Sequence, residues 1–400
     1  MPPVKKHAVS PDICGSKVIL FLGAGASAPL GLKLMGSFMD LLESDLPDVL
    51  VPVLKNIYKG PGGGKDLELV FEATERYGNM QDYCEHEPNW NGAVGSRIAN
   101  IRQLVQSCDD IRNRAEDLVV RHYSRVEADK VVPHYDNFLT LLTRSNPSSF
   151  LPVFTTNYDT AIEDFVDNAT ANFRIVDGFE GGMRRYWAPA STYHAYRAER
   201  AAQPVIVLFK LHGSSTWYRH KPTGRITNVG SMSLRLRDDP EYENVLVWPA
   251  RTKRIEEGPH QVDYQYLKEC LSRTHLCIVI GFSFRDEVIR RYFEEALISN
   301  RDLTLVIVDP EADKIISSSL SLPPGAYRKG KQSKRAKSKP PGVYGVPSKY
   351  GPTELSAIVS ALSSVDFSWD PELLDTLAGQ AADRGTETPR ETDDGSQPPQ

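Results

Sequence analysis

The chain has 400 residues, 47 basic against 52 acidic, for a formal net charge of −5. That imbalance sits wholly in the tail: from Pro371 to Gln400 seven acids face only Arg384 and Arg390, and residues 1–370 carry 45 charges of each sign. A neutral body argues against bulk electrostatic binding to nucleic acid, which needs a net basic footprint. A chain of this length buries a full core without covalent staples and divides into two domains at most. The five cysteines (Cys14, Cys84, Cys108, Cys270, Cys277) are odd in number and form no C-x-x-C pair, so neither a disulfide framework nor a four-thiolate zinc site is readable. The longest apolar runs are five residues, against roughly 20 for a bilayer span. No apolar stretch of signal-peptide length follows Met1–Ser10. The expectation is a soluble, cytoplasmic protein.

In chain order, Val18–Leu22, Leu151–Phe154, Val205–Leu211, Leu276–Ile280 and Leu303–Val308 read as buried strands of a parallel sheet, with Val245–Trp248 a weaker sixth. Met35–Leu46 reads as a helix. Apolar spacing of three and four recurs in Leu67–Tyr77, Ile98–Val126 and Tyr135–Leu142. Strands alternating with helices predict an α/β fold: a doubly wound, mainly parallel Rossmann-like sheet with a helical subdomain inserted at about residues 66–148.

The residues that follow each strand carry the chemistry. Val18–Leu22 runs into Gly23-Ala-Gly-Ala-Ser-Ala28, and Leu151–Phe154 into Thr155-Thr156-Asn157-Tyr158-Asp159. Val205–Leu211 ends at His212-Gly213-Ser214, Leu276–Ile280 at Gly281-Phe282-Ser283, and Leu303–Val308 at Asp309. Open α/β sheets bind ligands beyond the carboxyl ends of their strands, so one crevice can gather all five clusters. Gly23-x-Gly25-x-x-Ala28 matches the dinucleotide fingerprint, with a helix from near Ser27 expected to aim its positive end at a pyrophosphate. The acid that normally ends a second strand about 20 residues later, to hold the ribose, is missing.

Asn157, Asp159 and His212 are the candidate chemical groups. No serine sits in a G-x-S-x-G elbow, and the nine histidines form no H-E-x-x-H motif. A histidine beside a bound ribose suits proton abstraction from a sugar hydroxyl. An Asn and an Asp nearby can orient a water or hold ribose hydroxyls while an N-glycosidic bond breaks through an oxocarbenium-like state. Asn157 also fits a plain helix cap, and His212 a plain turn histidine. Their joint placement behind strands of one sheet favours the chemical reading.

These motifs, Gly-Ala-Gly-Ala-Ser (23–27), Thr-Thr-Asn-Tyr-Asp (155–159), Leu-His-Gly-Ser (211–214), Gly-Phe-Ser (281–283) and Val-Asp (308–309), resemble in order and spread the sirtuin-like family. The resemblance implies NAD as substrate. Gly23, Ala24, Gly25 and Ser27 would contact its pyrophosphate, with Thr156 also among the binding residues. Asn157 and Asp159 would flank the nicotinamide ribose, and His212 would be the catalytic base. Gly281 and Ser283 would line the pyrophosphate and adenosine side, and Asp309 would approach the adenine ribose. Sirtuin deacylases carry two C-x-x-C pairs between the catalytic histidine and the Gly-x-Ser motif. Here Gly213–Ile280 holds only Cys270 and Cys277, so no zinc is expected and a hairpin-like excursion takes that place. Those two departures, the lost cysteines and the helical insertion, resemble the prokaryotic anti-phage branch. That branch implies an NAD hydrolase that depletes NAD, working as a homo-oligomer, with a companion ATPase or nuclease chain a further partner that the family implies. A deacylase, an ADP-ribosyltransferase and a non-catalytic module sensing NAD or ADP-ribose are the alternatives.

The expected layout is a catalytic domain over 1–315, a basic loop and short helix (Glu354–Ser363) over 316–370, and a disordered acidic tail over 371–400. Arg328–Lys339, with seven positive charges and no acid, reads as a solvated loop rather than a nucleic-acid site. Gly60–Gly64 reads as a hinge. Arg184–Trp187 and Tyr193–Arg197 mix aromatic and basic residues, as both a nucleic-acid binder and a loop over the site would.

Overall fold

Apolar runs with no polar face need a layer of helices on each side, and the chain supplies both. The computed structural model describes residues 13–58, 95–145, 150–182, 185–189, 192–193, 203–230, 239–247, 258–321 and 342–347, with single positions 70, 73, 76, 77, 236 and 355. The main sheet has seven strands, all parallel: β1 (Val18–Leu22), β2 (Phe150–Thr155), β3 (Arg174–Val176), β6 (Val205–Lys210), β10 (Leu276–Ile280), β11 (Thr304–Val308) and β12 (Val343–Val346). Their spatial order is β12-β11-β10-β1-β2-β6-β3. From the central β1 the chain winds outward one way through β2 and β6, then the other way through β10, β11 and β12. The order therefore reverses between β1 and β10, the topological switch point of a doubly wound sheet. The fold class expected from the sequence is the one observed.

Alternation along the strands assigns the two faces. Val18, Leu20, Leu22, Ile278 and Ile280 pack against α5 (Ala128–Ser145) and α6 (Ala161–Asn168). Ile19, Phe21, Cys277 and Val279 pack against α7 (Gly258–Leu271), α8 (Glu287–Ser299) and α9 (Ala312–Ser319). A separate apolar cluster joins α2 (Met35–Asp45), α3 (Val51–Tyr58) and α4 (Gly95–Tyr123) through Phe38, Leu42, Leu54, Ile111, Ala115 and Val119.

The excursion after His212 supplies β7 (Gly213–His220), β8 (Arg225–Asn228) and β9 (Tyr242–Leu246) to a second, antiparallel sheet, which β4 (Phe179–Glu180) and β5 (Arg185–Trp187) from before His212 complete in the order β4-β5-β8-β7-β9. Val245–Trp248 is expected as a sixth strand of the main sheet; its Val245 and Leu246 lie instead in β9, which pairs antiparallel with β7, and Trp248 falls outside the described residues. A short apolar run carries no information about which sheet it joins. Phe179, Trp187 and Trp217 close the small core beneath it.

The helix expected from Ser27 also differs. Ala24–Ser27 (α1) is a single turn, followed by a 3-10 turn at Ala28–Leu30 and left-handed Gly31. Pro29 cannot continue a helical ladder and Gly31 ends it, so no long dipole stands behind the Gly-rich turn. The expectations for Gly60–Gly64, Arg184, His194–Arg197, the basic run 328–339, the helix beyond Leu355 and the tail 371–400 fall outside the described residues.

Candidate active site

A cavity of about 550 Å³ opens at the switch point, within the range of small-molecule sites. Ala24, Gly25, Ser27, Thr156, Asn157, Asp159, His212, Gly281, Ser283 and Asp309 all line it. Of the residues singled out from the sequence only Gly23 stands behind the wall, where its carbonyl accepts a hydrogen bond from Asn157 Nδ2 at 3.0 Å.

Two glycine turns make the floor possible. Gly23 N donates to Ile280 O at 2.8 Å and Gly25 N to Gly281 O at 3.0 Å, so the β1 and β10 loops are bound backbone to backbone. A Cβ on Gly23 would lie 2.5 Å from Gly281 O, and one on Gly281 (φ +64) 2.4 Å from Ala26 N. Those amides are thus committed to holding the floor together, not free for a phosphate. Positive charge at the cavity comes from side chains that sequence reasoning missed, Lys33 and Arg285.

Asn157 follows β2 in a turn closed by its own amide, which donates to Thr155 Oγ1 at 3.0 Å. Its side-chain nitrogen donates to Ser27 Oγ at 3.0 Å as well as to Gly23. That leaves the amide oxygen as the group Asn157 can offer a ligand. The Asn157–Ser27 bond ties the first strand end to the second, and Tyr135 Oη donates to Ala26 O at 3.4 Å. Asp159 is buried; burial raises its pKa, and Lys210, the Ala161 amide and Ser27 oppose that shift. Its Oδ1 accepts Ala161 N at 3.0 Å, at the start of α6. Lys210, 1% exposed at the end of β6, donates to the Asp159 carbonyl and pairs with Glu163 at 2.8 Å. Nothing in its local sequence marks this lysine, which stands in an otherwise apolar strand.

His212 occupies the corner where the parallel sheet hands over to the antiparallel one. Leu211 N donates to Thr155 O at 2.9 Å, and Val247 N to His212 O at 2.8 Å, so the backbone is clamped on both sides. Gly213 (φ +80) makes the corner, because a Cβ there would fall 2.1 Å from Val245 O. The imidazole is buried, and its Nε2 lies 3.0 Å from Asp286 Oδ2. Asp286 was not anticipated, although the cap signature Asp286-Glu287 before an apolar helix was present in the sequence. His260, beside His212, is pushed down to about 4, chiefly by burial, then by the charge of His212.

The remaining wall is helical: Phe38 from α2 and Val119 and Tyr123 from α4 line it, with Tyr123 Oη donating to Lys33 O at 2.7 Å.

Residues 152–322 match the model of the SIR2-like domain. Among solved structures, the chain is similar to a Sir2 homologue in complex with NAD (13% identity, covering 92% of this chain and 92% of that one, TM-score 0.39). It is also similar to a Sir2 enzyme solved for mechanism and regulation (11%, 93% and 96%, TM-score 0.36) and to a sirtuin solved for substrate affinity (15%, 78% and 89%, TM-score 0.35). No curated protein matches the chain.

The matched segment holds Asn157, Asp159, His212, Gly281, Ser283 and Asp309; the Gly-rich turn precedes it. Among the described residues, no group of three or more His, Cys, Asp or Glu side chains is placed to hold a metal. Cys270 lies in the core with its Sγ 3.0 Å from that of Cys14, and Cys277 is buried within β10. No described helix is long and apolar enough to cross a membrane.

Proposed function

We propose that this SIR2-like domain is an NAD hydrolase releasing nicotinamide and ADP-ribose. The observation that carries the reading is the convergence of His212, Asn157 and Asp159, from two strand ends, on one cavity beside the switch point. The cavity offers what NAD needs: cationic Lys33 and Arg285 for a pyrophosphate, Asp309 for a ribose hydroxyl, and buried acid near a cationic nicotinamide. In the reaction a water oxygen bonds to the anomeric carbon of the nicotinamide ribose. The bond to the nicotinamide nitrogen breaks, its electron pair neutralising the ring, and the water's proton leaves through His212. Asn157 orients the water or the ribose. Nicotinamide departs as a neutral ring, so no strong acid is required.

The segment Gly213–Ile280 holds only Cys270 and Cys277 and no C-x-x-C pair, which supports hydrolysis over the zinc-bearing deacylase pattern. Together with the helical wall, that supports the anti-phage branch, in which the chain would deplete NAD as a homo-oligomer beside a companion ATPase or nuclease. The test is nicotinamide release from NAD by the purified full chain, with and without an acyl-lysine peptide. Release without peptide is expected. Release only with peptide would assign deacylation, and NAD binding without any release would leave a sensing module.

A further inference from the structure

The Asp286 carboxylate serves two partners with two oxygens. Oδ1 accepts the amides of Val288 and Ile289 at 3.1 and 3.2 Å, the work of a helix cap at the start of α8. Oδ2 lies 3.0 Å from His212 Nε2, and each side chain is 7% exposed. Asn, Ser or Thr would cap the helix as well. Only a carboxylate caps it and also presents an anionic acceptor to the ring.

The loop that delivers Asp286 is itself constrained. Phe284, two residues earlier, has φ 57, a left-handed conformation rare for a bulky residue. It is buried, with its ring 4.9 Å from Phe282 and 5.2 Å from Phe293, centroid to centroid. Backbone strain of this kind persists where packing over-determines it, and it clusters at functional sites.

We propose that Asp286 is the positioning residue for His212, an inference that rests on the hydrolase reading for its catalytic meaning. It accepts a hydrogen bond from Nε2–H and so fixes the tautomer in which Nδ1 carries the lone pair. Nδ1 is then the nitrogen that takes the proton from water. The resulting imidazolium is stabilised by the adjacent carboxylate, which stays ionised while the proton stays on the ring.

The groups that face the pair from neighbouring elements are His260 and Tyr264 on α7, Tyr292 on α8 and Tyr158 after β2. Burial holds His260 at about 4 and raises both Tyr264 and Tyr292. Asp159 and Arg285 share the cavity in every variant, so a comparison of variants isolates the pair.

The test is Asp286→Asn, which keeps the cap acceptor and the shape but removes the anion. Nicotinamide release should fall by about 10²-fold or more in kcat with KM little changed. The acid limb of the rate profile should move to lower pH by about one unit, because the imidazolium loses its counter-charge. The melting temperature should stay near that of the wild type. A readout independent of turnover is the nitrogen NMR of histidine-labelled chain, with the His212 signals assigned by His212→Gln. The wild type should show Nε2 protonated and Nδ1 bare. Protonation at Nδ1, or a His212 titration unchanged by Asp286→Asn, would overturn the proposal. If the wild type released no nicotinamide yet the spectra behaved as stated, the hydrolase reading would fall while the pairing stood.

Discussion

The floor of the cavity and its helical wall hold their residues in different ways. The floor is cross-linked through the backbone, Gly23 to Ile280, Gly25 to Gly281 and Leu211 to Thr155, and its side chains interlock through Ser27 and Asn157. The wall meets it through apolar surface: Phe38 and Val119 belong to the cluster of α2, α3 and α4, against which Tyr158 is packed. Hydrogen-bonded loops at strand ends fix atoms tightly enough for chemistry, whereas a side-chain interface can shift without disturbing them. On the proposed reading, catalysis belongs to the floor, and the wall's part is to shape entry.

The contrast can be broken at its strongest point with Gly281→Ala. The new methyl would meet the Ala26 amide at 2.4 Å in a left-handed backbone position. Overpacking and the conformational penalty together should destabilise the chain by about 2–5 kcal/mol, read by urea denaturation. A change below about 1 kcal/mol would show the two loops to be loosely held.

Acid should act on the floor through its buried histidines. His134, on α5 below the Gly-rich turn, and His260 are both pushed from 6.5 to about 4, each chiefly by burial. Each is neutral in the folded chain, so the unfolded chain binds more protons between about pH 6.5 and 4. The stability this confers is full above about pH 6.5, declines as pH falls, and is gone below about 4. Asp159, Asp177 and Asp263, raised by burial, act in the opposite sense, so the effect is read by difference. Between pH 6.5 and 4 His260→Gln should lose roughly 2–3 kcal/mol less than the wild type in denaturant titrations. Equal losses would show that His260 is hydrated.

The wall should respond least. Tyr123→Phe removes the hydrogen bond to Lys33 O, a change of about 1 kcal/mol. Nicotinamide release should stay within a few-fold of the wild type. A loss of 10²-fold would move Tyr123 from the wall into the chemistry.

Among the parallel strands, β1, β2, β6, β10 and β11 were legible because burial on both faces leaves continuous apolar runs, and the clusters beyond them were legible because each is local in sequence. Long-range partners were not. Asp286 lies 74 residues from His212 and looks like any helix cap; Lys210 looks like a break in an apolar strand. The failure of the Ser27 helix had a local signal, Pro29 and Gly31, outweighed by the glycine fingerprint. β3 and β12 of the main sheet and β4, β5, β8 and β9 of the antiparallel one are short strands, several with an exposed residue, whose partners only the tertiary structure selects.

The central claim, that His212 and Asn157 meet at one catalytic centre, is tested most directly by single substitution. His212→Ala and Asn157→Ala chains should each fold and bind NAD by calorimetry, yet release nicotinamide about 10²- to 10⁴-fold more slowly than the wild type. Full activity in either variant would contradict the assignment.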